Sequence, residues 1–201
     1  MNNMKTNKLT APDLISIGVF TALYFVLVTI ATFASAALLP GFSNIFLPAL
    51  AALISGSVYM LLASKLQKFG GITIMGVVMG LFFLVSGHFI LSFAANIVCG
   101  VVADLIAKAK AYKSKKNLLL SYVVFSYGLT GPVLPLWFMK DAYVANLIER
   151  GKDSAYIDAL FAHMNMATFG ICMVSILVCA LVGGYFGQKM MQKHFKKAGI
   201  I

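Results

Sequence analysis

Ser86, Gly87 and His88 sit together in a short interruption of a largely apolar chain, and His163 occupies a second such interruption. A serine hydroxyl beside an imidazole is the minimal pair for nucleophilic attack on a carbonyl, the histidine taking the proton. That chemistry also needs an oxyanion site and an orienting acid, or a metal. The chain has no GxSxG, no HExxH and no paired acidic motif, so catalysis is not expected. Cys99, Cys172 and Cys179 all fall inside apolar runs and none are spaced as CxxC. They read as packing residues, with neither a zinc site nor a redox dithiol, and no metal or cofactor is expected. No GxxxxGK[ST] loop is present, so the chain is not expected to hydrolyse ATP itself.

The chemistry that remains is non-covalent binding. Asn44, His88, Ser92, Asn96, Tyr127, Trp137, His163 and Asn165 gather at the ends of the apolar runs that lie away from the lysine clusters. A polar group buried in lipid needs a hydrogen-bonding partner, and a bound solute can be that partner. His88, Ser92 and Asn96 recur every four residues and so share one helical face. Such a stripe is either glue between helices or the wall of a pocket. Trp137 and Tyr143 also suit an aromatic belt at a membrane interface. Asp104 is the one acid clearly inside an apolar run, and Lys108, four residues on, is its expected partner. No acid lies near the middle of a run, where a proton- or sodium-driven carrier would keep one.

These groups must be positioned by helices in a bilayer. Of the 201 residues, 61% are hydrophobic and only 11% charged, and the mean hydropathy is +0.92. A soluble domain is about half apolar and about a quarter charged. The apolar runs predict an all-α integral membrane protein, a single domain over 1–201 built as a compact bundle of six transmembrane helices. The spans read as about 13–37, 44–64, 72–86, 88–107, 118–139 and 166–188. A hydrocarbon core of about 30 Å needs about 20 helical residues, so only the third is short. Residues 1–12 are polar and the run after them is too long for a signal core, so no cleavable leader is expected.

The net charge of +10 does not read as a nucleic-acid footprint, because the lysines sit at the ends of apolar runs, where they set orientation. With both termini in the cytoplasm, Lys5, Lys8, Lys65, Lys68, the five lysines from Lys108 to Lys116, and Lys189, Lys193, Lys196 and Lys197 all fall inside. That is thirteen of the 16 basic residues; Lys140, Arg150 and Lys152 fall outside. The outer segment 140–165 carries a capping candidate in Asp153 or Ser154, followed by Ile157, Leu160, Phe161 and Met164 at helical spacing. It reads either as a connector hugging the bilayer or as a lid over an outward-facing pocket. Small residues four apart recur as Gly18 and Ala22, Gly76 and Gly80, and Gly183 and Gly187. Such pairs let helix backbones approach closely. Internal packing suffices for the last two, whereas the first could offer a groove to a partner.

The opening stretch TAPDLISIGVFTALYFVL resembles the first helix of the substrate-binding (S) components of energy-coupling factor (ECF) transporters. NIVCGVVADLIAKAK and SYVVFSYGLTGPVLPLWF resemble their Trep_Strep-type subgroup. The resemblance covers nearly the whole chain. It implies a multi-pass bacterial plasma-membrane protein that captures a micronutrient from outside and docks through its first helix on a transmembrane coupling subunit bound to two ATPase subunits. It then topples in the bilayer to release its solute inward. The docking groove would be Gly18 and Ala22. The pocket would draw on Asn44, His88, Ser92, Asn96, Tyr127, Trp137, His163 and Asn165. A stand-alone permease or channel for a small solute is the alternative.

Overall fold

A computed structural model describes residues 8–195. Lys5, Lys196 and Lys197, counted above among the basic residues, lie outside the described residues. The described residues are all-helical in class, with no strand among them. Helix α1 spans Ala11–Leu38, α2 Ser43–Leu66, α3 Gly71–Val85, α4 Ile90–Lys108 and α5 Lys115–Tyr127. A 3-10 turn at Gly128–Thr130 and the four-residue α6, Pro135–Phe138, continue α5. Helices α7, Lys140–Glu149, and α8, Ser154–Phe161, follow, and α9 runs over Met166–Met190. Among the described residues four helices, α1, α2, α4 and α9, are long and apolar enough to cross a membrane.

Local chemistry sets the boundaries. Pro12 stands in the first turn of α1, where no N–H is needed, and the Asp13 carboxylate accepts from Thr10 N at 2.8 Å and Thr10 Oγ1 at 2.7 Å. Pro40 and Gly41, the latter at φ +84°, end α1 and turn the chain into α2. Asp153 caps α8 by accepting from Tyr156 N at 2.8 Å. Ile157, Leu160, Phe161, His163 and Met164 are the half-buried positions beyond it, while Asp158 is exposed.

Hydrogen bonds between helix ends gather the lysine clusters at one end of the molecule. Lys68 Nζ pairs with Asp13 Oδ2 at 2.6 Å, joining the end of α2 to the start of α1. Gln188 Nε2 donates to the Lys115 carbonyl at 2.7 Å, joining the end of α9 to the start of α5. The end of α4 meets the start of α3 through Asp104, whose partners correct the sequence expectation. Its carboxylate is fully buried. Oδ2 accepts from Gly70 N (2.9 Å), Thr73 N (3.0 Å) and Thr73 Oγ1 (2.9 Å), and Oδ1 accepts from Tyr112 OH (2.5 Å). Lys108 is not its partner; that ammonium is exposed and lies 4.8 Å from the centre of the Phe69 ring. The reason is that the first turn of α3 has free N–H groups and the positive end of a helix dipole to satisfy away from water. A carboxylate from the neighbouring helix answers both.

Close backbone contact and buried hydroxyls hold the bundle. A Cβ on Gly56 of α2 would run into the Gly183 backbone of α9, and one on Gly187 would lie 2.6 Å from the Gly56 carbonyl oxygen. Gly76 and Gly80 meet the backbone of α4 in the same way. Gly18 is different: nothing lies within 4 Å of its added Cβ. Tyr59 and Tyr122 are fully buried. Tyr59 OH bonds Ser121 Oγ, which donates to the Ala103 carbonyl at 2.6 Å, and Tyr122 OH donates to the Ala52 carbonyl at 2.5 Å. These links tie α2, α4 and α5 together where no water is available to satisfy a hydroxyl.

The run 118–139 is the largest departure from expectation. It is not one helix; α5 stops at Tyr127 and the chain proceeds through tight hydrogen-bonded turns to α6. Pro132 has no N–H to give to the Gly128 carbonyl one turn back. Gly131 N donates to that carbonyl at 3.1 Å from within the turn, and Asn96 Nδ2, reaching over from α4, adds a second donor at 3.0 Å.

Candidate solute cavity and small-residue groove

At the end away from the lysine clusters, the helices leave a cavity of about 370 Å³. Phe25, Val28, Thr29, Thr32 and Phe33 of α1 form one side, with Phe82 and Phe83 of α3 beside them. Asn44 and Leu47 enter from the first turns of α2, Ser86 and His88 from the α3–α4 turn, and Leu129, Pro132 and Val133 from the irregular stretch after α5. Tyr143 of α7 closes the list of contributors from the outer segment. The lining is mostly aromatic and aliphatic, with a few polar groups that can orient a solute.

The polar groups differ in what they have left to offer. Thr29 Oγ1 and Thr32 Oγ1 donate to the Phe25 and Val28 carbonyls one turn back, at 3.0 and 2.9 Å, and keep lone pairs to accept with. His88 Nδ1 lies 3.3 Å from the Phe83 carbonyl oxygen. A carbonyl only accepts, so this contact requires the Nδ1–H tautomer and leaves Nε2 as an acceptor. Burial holds the His88 pKa below its ordinary value; Arg150 pushes the same way and the Phe83 carbonyl opposes. The imidazole is therefore neutral at pH 7. Two cations of the outer segment are engaged away from the cavity, Lys140 over Phe161 at 5.1 Å and Lys152 over Tyr156 at 4.9 Å, while Arg150 sits at its edge. Arg150 Nη2 donates to the Ser86 carbonyl at 3.2 Å. Among the described residues no charged side chain lines the cavity.

The outer segment touches the cavity region at two places. Tyr143 lines it and stacks on Phe89, with ring centres 5.5 Å apart. On the other side, Tyr156, Ala159 and Leu160 of α8 enclose a smaller space of about 180 Å³ with Gly41, Ser43 and Asn44. Asn44 borders both spaces.

Of the eight residues named from the sequence, Asn44 and His88 line the cavity. The structure gives five of the others work in the frame. Asn96 Nδ2 bonds the Ser92 and Gly128 carbonyls, Tyr127 OH donates to the Met173 carbonyl at 3.0 Å, and Trp137 Nε1 donates to the Asn165 carbonyl at 3.0 Å. Asn165 caps α9 by accepting from Thr168 N at 3.0 Å, and His163 stacks on Phe42 with ring centres 4.3 Å apart. Ser92 is fully buried, and its hydroxyl has no partner among the described residues. The stripe His88, Ser92, Asn96 thus divides, its first member at the cavity and its last serving as glue. Sequence reasoning missed the aromatic lining of α1 and α3. A signal was present, since Phe25, Thr29, Thr32 and Phe33 repeat at helical spacing, but threonine and phenylalanine in an apolar run do not stand out as polar residues do.

A second opening lies on the same two helices. Gly18 and Ala22, with Leu14, Thr21, Ile74 and Val78, line an apolar groove of about 470 Å³ between α1 and α3. Phe25 and Phe82 line both the groove and the cavity. Their rings meet edge-on, centres 4.2 Å apart, so this one aromatic pair is the partition between the two spaces.

A family model described as "Hypothetical bacterial integral membrane protein (Trep_Strep)" matches residues 11–197. No curated protein and no solved structure matches the chain.

Proposed function

The chain belongs to this family of bacterial integral membrane proteins, and from that premise we propose that it is the solute-binding membrane subunit of an ATP-driven importer of the energy-coupling-factor kind. It sits in the plasma membrane with six crossings, the four long helices together with α3 and the α5–α6 stretch, and with both termini and the lysine-rich end in the cytoplasm. A small solute enters from outside into the cavity under α7 and α8, which act as its lid. The Gly18–Ala22 groove receives a transmembrane coupling subunit that carries two ATPase subunits. The chain itself performs no covalent chemistry. The absence of charge from the cavity lining favours a neutral, ring-bearing solute over a polyanion, because an unpaired anion there would be desolvated without a counter-charge.

The observation that carries this reading is the placement of cavity and groove back to back across Phe25 and Phe82. A partner in the groove would press on the side chains that close the cavity, which gives binding and docking a shared element to act on. The near absence of charge from the helix interiors also suits a protein that must reorient in lipid, since a central charge costs roughly 2.5–3.5 kcal/mol on insertion scales.

The experiment is purification of the tagged chain from its native membrane, with native mass spectrometry for retained small molecules and identification of co-purifying subunits. A retained solute together with a coupling subunit and ATPases is the expected result, and Gly18→Leu or Ala22→Leu removes the subunits while leaving the solute. Assembly that survives both substitutions refutes the docking surface. Uptake by the chain alone in ATP-free vesicles refutes the importer-subunit reading and assigns a permease. Labelling of Ser114→Cys from outside intact cells refutes the orientation.

A further inference from the structure

The lysine-rich end holds a cavity that solute capture does not use. It measures about 310 Å³ and lies between the end of α2, the start of α5 and the end of α9. Lys113, Lys115, Gln67 and Gln192 line its walls, and buried Leu118 and Met191 its floor. No acidic side chain lines it.

The charge here has no internal answer. Lys68 is paired with Asp13, while Lys65, Lys108 and Lys189 lie over the rings of Phe20, Phe69 and Tyr185. Lys113 and Lys115 have neither a carboxylate nor a ring partner among the described residues. The two acids of this end are already committed, Asp13 to Lys68 and Asp104 to four donors, one of them the hydroxyl of Tyr112 beside the cavity. The backbone is also constrained. Gln67 (φ +48°), Ala111 (φ +49°) and Tyr112 (φ +58°) are the described non-glycine residues in the left-handed region, and all three lie in the connections that frame this cavity. Such conformations cost free energy and persist where surrounding contacts hold them; Asp104 does so for Tyr112.

We infer that this cavity is a binding site for a phosphate-bearing anion, supplied by the headgroup of an acidic phospholipid. Two lysines and two glutamine amides are donors suited to phosphate oxygens. The apolar floor and the exposed Leu120, Tyr185 and Phe186 farther along α5 and α9 suit the acyl chains of the same molecule. Basic pockets between helix ends at a membrane surface take anionic headgroups by this chemistry.

The test uses the purified full chain in a neutral detergent. Dioctanoyl phosphatidylglycerol, dioctanoyl phosphatidylcholine and inorganic phosphate are titrated separately, with bound molecules counted by native mass spectrometry. Phosphatidylglycerol is expected to bind roughly 30-fold more tightly than phosphatidylcholine, the preference that two basic residues provide. Lys113→Gln with Lys115→Gln abolishes the preference, and Gln192→Glu, which touches neither lysine, lowers it. Lys110→Gln with Lys116→Gln removes the same charge elsewhere and leaves the preference intact. Equal binding of the two lipids overturns the inference, as does equal loss in the two double variants, which would reduce the effect to diffuse charge. Binding of inorganic phosphate without lipid preference retains the phosphate chemistry and overturns the lipid as its source.

Discussion

Three glycine motifs that look alike in sequence predict opposite responses to the same substitution. Gly187 of α9 sits against Gly56 of α2, where an added Cβ would lie 2.6 Å from the Gly56 carbonyl oxygen. Ordinary contact begins near 3.4 Å, so Gly187→Ala forces the two helices apart by about 0.8 Å, the shortfall between those two distances. Backbone on backbone has no rotamer to absorb the strain, so the cost falls at the upper part of the overpacking range of about 1–3 kcal/mol. Alanine recovers about 0.5–1 kcal/mol of helix preference, for a net loss of about 1–2 kcal/mol. Gly18→Ala meets nothing within 4 Å and keeps only the gain, so it is neutral or stabilising. The assay is reversible unfolding in detergent followed by the fluorescence of Trp137, the sole tryptophan, whose indole N–H bonds the Asn165 carbonyl at the start of α9. Wild-type stability for Gly187→Ala, or a loss above about 1 kcal/mol for Gly18→Ala, refutes the assignment of one glycine to the core and the other to an open groove.

Asp104→Ala strands four donors, three of them half-buried, and costs about 2–4 kcal/mol, whereas Lys108→Gln costs at most about 1 kcal/mol; equal effects in the same unfolding assay would restore an Asp104–Lys108 pair. Asn96→Leu leaves the Gly128 carbonyl with the Gly131 N–H alone and destabilises by about 0.5–1.5 kcal/mol, and unchanged unfolding would deny Asn96 its role in bridging the proline break. His88 has a folded pKa below its ordinary value, so the unfolded chain binds the proton more readily. Stability is therefore unaffected above about pH 6.5 and falls as pH drops through and below that value; His88→Gln removes this acid sensitivity, and an identical pH profile for the variant would contradict it. Phe82→Ala joins the cavity to the groove; on the proposed solute-binding reading the variant retains less solute on purification while its unfolding midpoint moves less than that of Gly187→Ala, and full retention of a solute that the parent chain carries would deny the aromatic pair its function as a partition.

Much of the architecture was legible because the bilayer constrains sequence so tightly. Apolar runs marked the helices, Pro40 and Gly41 a turn, and the lysines the helix ends that the structure gathers at one face. Gly128, Gly131, Pro132 and Pro135 also stand in plain view, yet the run reads as one helix because its apolar content is continuous. Composition reports that a segment belongs in lipid, not that its hydrogen-bond ladder is broken and repaired from another helix.

Partners distant in the chain were set by packing. Asp104 and Lys108 are neighbours on any isolated helix, so local spacing pointed to an ion pair. Folding brought Gly70 and Thr73, more than 30 residues away, and their unsatisfied N–H groups outcompeted an ammonium that could reach solvent and an aromatic ring. The cavity likewise combines α1, α2, α3, the α3–α4 turn, the stretch after α5 and α7, parts that no periodicity links. Sequence determined which surfaces must be hidden from water. Three-dimensional packing determined which buried polar groups found each other and which were left facing an open space, because that outcome depends on distances between helices rather than on positions along one.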